Sequence, residues 1–195
     1  MNSSRIILAS ASPRRVELLQ QIGVEIIQQV ADIDESHQPG ESAEAFVARL
    51  AEEKAFKVYQ NSNKEYPVLG ADTIVVIDEH ILGKPDDYAE ACEMLTMLSA
   101  RHHQVMTAVT LVNQGLPETR INISDVEFIE LDQATIDAYW QTGESLGKAG
   151  AYAIQGIAGQ FIKEIRGSYS SIMGLPLYET RLLLKRAGIA VLGKT

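Results

Sequence analysis

The spacing of apolar positions changes several times along the chain, and each change marks an element. Residues 5–10 are apolar and β-prone, which predicts a strand. Ser12 and Pro13 suit a helix N-cap followed by proline at the first helical position. Val16, Leu18, Leu19 and Ile22 line a short helix, and Gly23 suits its end. Residues 24–30 read as a second strand and residues 32–40 as a polar loop. The clearest helix covers residues 41–60, with Phe46, Val47, Leu50 and Val58 at helical spacing. Residues 67–78 are almost continuously apolar, as in a strand covered on both faces. A helix over 87–100 carries Ala91, Leu95 and Leu98 on one stripe. Residues 104–112 and 119–129 read as long strands joined by a turn at Asn113-Gln114-Gly115, a hairpin. Asp132 suits the N-cap of a helix through Trp140, with Leu131 and Ile136 spaced as a hydrophobic staple. Residues 143–174 hold half of the fourteen glycines, which predicts loops and close backbone approaches. A last helix covers 177–187.

This is an α/β pattern without strict alternation, and the hairpin requires a mixed sheet. At 195 residues and 46% apolar, the chain suits one domain over 1–195 that buries its core without disulfides. Cys92 is the sole cysteine, which fits a reducing compartment. The net charge of −9 speaks against a general binder of nucleic acid or membrane surfaces, both polyanions. No apolar run reaches the length of a membrane span, and the patch at residues 6–9 is too short for a signal-peptide core. A soluble cytoplasmic protein is expected.

A few residues break local rules. Arg14 and Arg15 sit in the first turn of a helix, where unpaired N–H groups already make a positive end. An anion there would turn a small penalty into a gain, and Ser10 and Ser12 add hydroxyl donors. The arginines would thus bind phosphate, or else extend to water or pair with Glu17. Asp72 interrupts the apolar run Val68-Leu69-Gly70-Ala71-Asp72-Thr73-Ile74-Val75. A carboxylate in a strand needs a partner, a metal or a strand end facing a cleft. Gly70 and Ala71 leave room beside it for a ligand or for backbone. Lys54 shares a helix face with Leu50 and Val58, so its ammonium needs an anionic oxygen unless it snorkels to water. Asp32, Asp34 and Glu35 form an acidic loop that could offer magnesium a ligand or simply be solvated. Lys84 sits at a loop tip in Gly83-Lys84-Pro85. Gln155 has the donor and acceptor to meet a nucleobase edge, or faces water. His102-His103 point to opposite faces of a strand and lack zinc-ligand spacing. No G-x-S-x-G elbow is present, and Cys92 sits mid-helix without a base nearby in sequence. Cations, an acid and little covalent machinery together suit phosphoryl chemistry.

The segments Ser10-Ala11-Ser12-Pro13-Arg14-Arg15-Val16-Glu17-Leu18-Leu19, Ala51-Glu52-Glu53-Lys54-Ala55, Gly70-Ala71-Asp72-Thr73 and Gly83-Lys84-Pro85 stand in the order found in one family. So do Lys148-Ala149-Gly150-Ala151-Tyr152-Ala153-Ile154-Gln155-Gly156, Gly167-Ser168-Tyr169 and Gly174-Leu175-Pro176. Across nearly its whole length the chain resembles the Maf proteins, house-cleaning nucleoside triphosphate pyrophosphatases. The resemblance implies an elongated mixed sheet flanked by helices, in two lobes with a central cleft, similar to the inosine triphosphate pyrophosphatases. It implies cleavage between the α- and β-phosphates, a divalent cation (magnesium or manganese) and a homodimer. The stretch around Gln155 resembles the branch acting on dTTP and UTP. Alternatives are the sister branch acting on 7-methyl-GTP and a non-catalytic nucleotide-binding regulator of septum formation. By position, Asp72 matches the proton acceptor, Glu35 a catalytic or metal-binding acid, and Asp72 with Glu35 the metal-binding pair. Asp34 adjoins Glu35 as the rival acid. Ser12, Arg15, Lys54 and Lys84 match phosphate-binding positions, Lys54 also within the catalytic group. Arg14, Thr73 and Gln155 match positions that set nucleotide choice.

Overall fold

The structure, a computed structural model, describes residues 5–191. In chain order it contains β1 (Arg5–Leu8), α1 (Pro13–Gln21), β2 (Glu25–Gln28), α2 (Ala43–Asn61), β3 (Val68–Ile77), β4 (His80–Leu82) and α3 (Tyr88–Leu98). Then follow β5 (His102–Asn113), β6 (Leu116–Phe128), α4 (Gln133–Gln141), β7 (Ile162–Arg166), α5 (Tyr169–Ile172) and α6 (Leu177–Arg186). Among the described residues the seven strands form one mixed sheet in the order β2-β1-β3-β5-β6-β7, with β4 beside β3. The chain divides into two compact units. Among the described residues, the first holds residues 5–72, 107–122 and 174–191; the second holds Thr73–Met106 and Ile123–Met173.

In the first unit β1 runs parallel to both β2 and β3, with Ile7 opposite Val68 and Leu8 opposite Leu69. Helix α2 covers this region, and Ile7, Ala9, Ala55, Val58, Val68 and Val112 share one core. Ser42 caps α2 through its hydroxyl, which accepts from the Ala45 N–H at 3.2 Å. In the second unit β4 runs antiparallel to β3, and β7 to β6. Its core gathers Leu95, Leu98, Phe128, Tyr152 and Phe161 around these strands. Asp132 caps α4 as expected, accepting from the Thr135 N–H at 2.8 Å, and Leu131 and Ile136 are both buried in that core.

Two strands differ from the sequence expectation. After the apolar run, Asp78 and Glu79 adopt φ of 47° and 68° and fold the chain straight back into a further strand, β4. Glycine and asparagine usually fill such turns, so this one leaves no familiar signature. Strand β7 lies inside the glycine-rich stretch read as loop. Its sequence, Ile-Lys-Glu-Ile-Arg, has neither a buried run nor strict alternation, and its order comes from pairing with β6.

Candidate active site

The loop after β1 enters α1 through Ser10-Ala11-Ser12, and the β1–β3 register explains its neighbours. Leu8 stands opposite Leu69, so the chain just past Leu8 runs alongside Gly70 to Asp72. Ligand sites in such sheets gather at the carboxyl ends of parallel strands. The Ser10 hydroxyl accepts from the Ser12 N–H at 3.2 Å and from Arg15 Nη1 at 3.0 Å. Arg15 Nε donates to the Gly174 carbonyl at 2.8 Å. Gly174 has φ of 112°, backbone that favours glycine, which gives the Gly174-Leu175-Pro176 motif a local reason. The Gln28 amide donates to the Ser10 carbonyl at 2.8 Å and ties the loop to β2.

Lys54 does not snorkel. Its side chain is 10% exposed, and Nζ donates to Asp72 Oδ1 at 2.7 Å and meets Glu35 Oε1 at 2.7 Å. Gly70 permits this approach. A Cβ there would run into the α2 backbone, with Ala55 N at 2.7 Å, so the space left beside Asp72 is filled by a helix. Helix α2 thus lies close enough to β3 for an ammonium four carbons long to reach a carboxylate buried in the strand. Burial pushes the Arg15 guanidinium below its ordinary value; Asp72 opposes that shift, Arg14 adds to it and Glu35 opposes it. Arg14, half-buried, is likewise lowered by burial and partly restored by Glu17.

Geometry separates the two rival acids of the polar loop. Asp34 turns onto its own backbone, accepting from the Ser36 N–H at 2.9 Å, while Glu35 reaches Lys54. Sequence reading missed what holds this loop. Arg49 donates from Nε and Nη2 to the two oxygens of Glu41 at 2.7 and 2.9 Å, and from Nη2 to the Ser36 carbonyl at 3.0 Å. This hydrogen-bonded fork holds the Glu41 carboxyl at about 2. Arg49 looks like any helix-surface cation in sequence, so no signal marked it.

Thr73, Lys84 and Gln155 belong to the second unit. Thr73 is half-buried on β3; Lys84 and Gln155 are exposed. The Gly83 carbonyl accepts from the Gly150 N–H at 3.0 Å, which links the Lys84 loop to the stretch leading to Gln155. Gly150 has φ of 65° and packs against Val75, where a Cβ would come within 2.9 Å of a methyl group. Tyr152, in the same stretch, is core: its hydroxyl bonds His103 Nε2 at 2.9 Å. His103 is packed edge-on against Phe128, and burial lowers it to about 4, with His102 adding to the effect.

Among the described residues no group of three or more His, Cys, Asp or Glu is placed to hold a metal unaided. Glu35 and Asp72 are hard oxygen donors of the kind a divalent cation takes beside phosphate oxygens and water, and in this structure both are paired with Lys54 Nζ. Among the described residues no helix is long and apolar enough to cross a membrane.

Residues 5–187 match the family model described as Maf: Maf-like protein. The chain is 51% identical over 188 residues to the dTTP/UTP pyrophosphatase of Pseudoalteromonas atlantica, covering 95% of this chain and 98% of that one. It is 48% identical over 191 residues to the dTTP/UTP pyrophosphatase of Photobacterium profundum, covering 95% and 97%. Among solved structures, a nucleoside-triphosphatase / dITP/XTP pyrophosphatase from Mycobacterium abscessus aligns with a TM-score of 0.46 at 17% identity, over 97% of this chain and 100% of that one.

Proposed function

The chain belongs to the Maf family, and from that premise we propose that it hydrolyses dTTP and UTP to the nucleoside monophosphate and pyrophosphate, house-cleaning the nucleotide pool as a single domain over residues 1–195. The observation that carries this reading is the pairing of one buried ammonium, Lys54, with two carboxylates, Asp72 and Glu35. A structural ion pair needs one acid, whereas a hydrolytic site needs an acid to accept a proton and charge to balance a polyphosphate. The names of the similar proteins from Pseudoalteromonas and Photobacterium support the choice of nucleotide.

In this mechanism water attacks the α-phosphorus and the bond to the β-phosphate oxygen breaks. Asp72 accepts the proton from that water on Oδ2, while Lys54 holds Oδ1 and keeps the carboxylate aimed. Arg15, fixed by Ser10 and Gly174, and Arg14, Ser12 and Lys84 bind phosphate oxygens and stabilise the charge that grows on the leaving pyrophosphate. Arg14, Thr73 and Gln155 select the base. A divalent cation, magnesium or manganese, held by a carboxylate from Glu35 or Asp72 would neutralise charge on the triphosphate. Family membership also supports a homodimer, to be checked by light scattering. The lone cysteine and the nucleotide substrate suit the cytoplasm.

The test is a nucleotide panel with pyrophosphate detection, with and without magnesium or manganese. The expected result is cation-dependent release from dTTP and UTP well above that from 7-methyl-GTP and the purine triphosphates. Release from 7-methyl-GTP alone, or from none of them, would overturn the reading.

A further inference from the structure

Gln155 lies between two anchors. Before it, Ala151, Tyr152, Ala153 and Ile154 are all at most 6% exposed, with Tyr152 bonded to His103. After it, Gly156 leads into a short 3-10 helix over Ile157–Phe161. The first N–H groups of any helix lack partners within the helix, and Gly156 has no side chain to supply one. Glu144 supplies it from elsewhere in the chain. Its Oε2 accepts from the Ile157 N–H at 2.9 Å and its Oε1 from the Ala158 N–H at 3.1 Å. The buried Tyr139 hydroxyl adds a third bond to Oε1 at 2.9 Å.

Gly156 has a negative φ, −110°, so the left-handed freedom of glycine is not what the position uses. What it must lack is a Cβ, which would collide with the Glu144 carboxylate, Oε1 at 2.7 Å included. Burial alone would raise the Glu144 carboxyl; the two backbone N–H groups, Tyr139 and Lys148 outweigh it and hold the group ionised below its ordinary value. An exposed side chain on a backbone fixed on both sides adds little to stability, because its own contacts are with water. Such an arrangement serves to present the side chain.

We infer that Glu144 is a positioning residue for Gln155, holding the 155–158 backbone so that the Gln155 amide meets the pyrimidine edge in a fixed pose. This rests on the pyrophosphatase reading, in which Gln155 selects the base. It assigns Glu144 to nucleotide discrimination and leaves the phosphate chemistry to Lys54, Asp72 and the arginines. The Glu144→Gln variant keeps the shape but turns an N–H donor toward backbone donors, and Gly156→Ala displaces the carboxylate from the other side.

The test measures kcat and KM for dTTP and dGTP in wild type, Glu144→Gln, Gly156→Ala, Gln155→Ala and the Glu144→Gln/Gln155→Ala double variant. Amide hydrogen exchange is followed through residues 153–158. In Glu144→Gln the KM for dTTP should rise about tenfold, kcat should change less than threefold, and the dTTP/dGTP ratio of kcat/KM should fall about tenfold. The double variant should match Gln155→Ala, because one residue acts through the other. Exchange at 155–158 should quicken in both anchor variants whether or not any nucleotide is turned over. Unchanged exchange, an unchanged selectivity ratio, or effects that multiply in the double variant would overturn the positioning role. Wild-type protein that turns over no triphosphate would instead overturn the pyrophosphatase reading, with the exchange result still deciding the anchor.

Discussion

Lys54 and His103 are both basic, both interior, at 8% and 3% exposed, and they are handled in opposite ways. In the first unit Lys54 is matched by two carboxylate oxygens, each at 2.7 Å. In the second, His103 is surrounded by Phe128 and Tyr152, bonded only to a phenol at Nε2, and its Nδ1 has no hydrogen-bond partner among the described residues. There the cheaper route is neutrality, and burial lowers the imidazole to about 4. A buried charge that is paired rather than neutralised is costly and rarely kept for stability alone. This contrast supports the proposal that Lys54 serves function, while His103 packs the core.

The largest effect that would break this contrast is on turnover. Asp72→Asn removes the proposed proton acceptor while keeping its shape, and kcat for dTTP should fall about 10²–10⁴-fold with an unchanged circular dichroism spectrum. Near-normal turnover would make the Lys54 cluster structural after all. Next comes the pH dependence of stability. His103 binds its proton less readily when folded than when unfolded, so the unfolded state carries more protons between about 4 and the ordinary value of 6.5. Its contribution is fully present above pH 6.5 and is lost as pH falls toward 4. Since each pKa unit is worth about 1.4 kcal/mol, the loss approaches about 3 kcal/mol. Urea titrations at several pH values should show this slope, reduced in His103→Gln.

Gly70→Ala probes how the cluster is assembled. Its Cβ would press on the α2 backbone, and overpacking of this kind typically costs about 1–3 kcal/mol. Turnover should fall with stability, because Lys54 is carried away from Asp72; loss of stability with full activity would show that the contact is dispensable. The smallest effect is expected at Arg49, which touches the acidic loop at a distance from the chemistry. Arg49→Met should lower kcat roughly threefold by loosening Glu35, on the scale of a lost peripheral hydrogen bond. An equal loss in a Glu35→Gln background would separate Arg49 from Glu35.

Much of this was legible in the chain itself. The stripe on α3 marked its element because burial of one helix face imposes a period of 3.6, and the run at β3 because a strand covered on both faces is apolar throughout. Asp72 and Lys54 stood out because each places a charge where its own element demands an apolar side chain. Strands β4 and β7 escaped notice: one begins at an Asp-Glu turn, and the other is an exposed edge whose order comes from its neighbour.

The α/β pattern, the charges set among apolar positions and the cationic start of α1 can all be read along the chain. It takes the folded chain to show that Asp72 and Glu35 share Lys54, that Asp34 serves its own loop, and that Arg49 and Glu144 hold backbone thirteen residues away. The physical reason is distance along the chain. A residue that violates local rules announces that it needs a partner, but the partner is chosen by strand register and by how closely a glycine lets a helix approach.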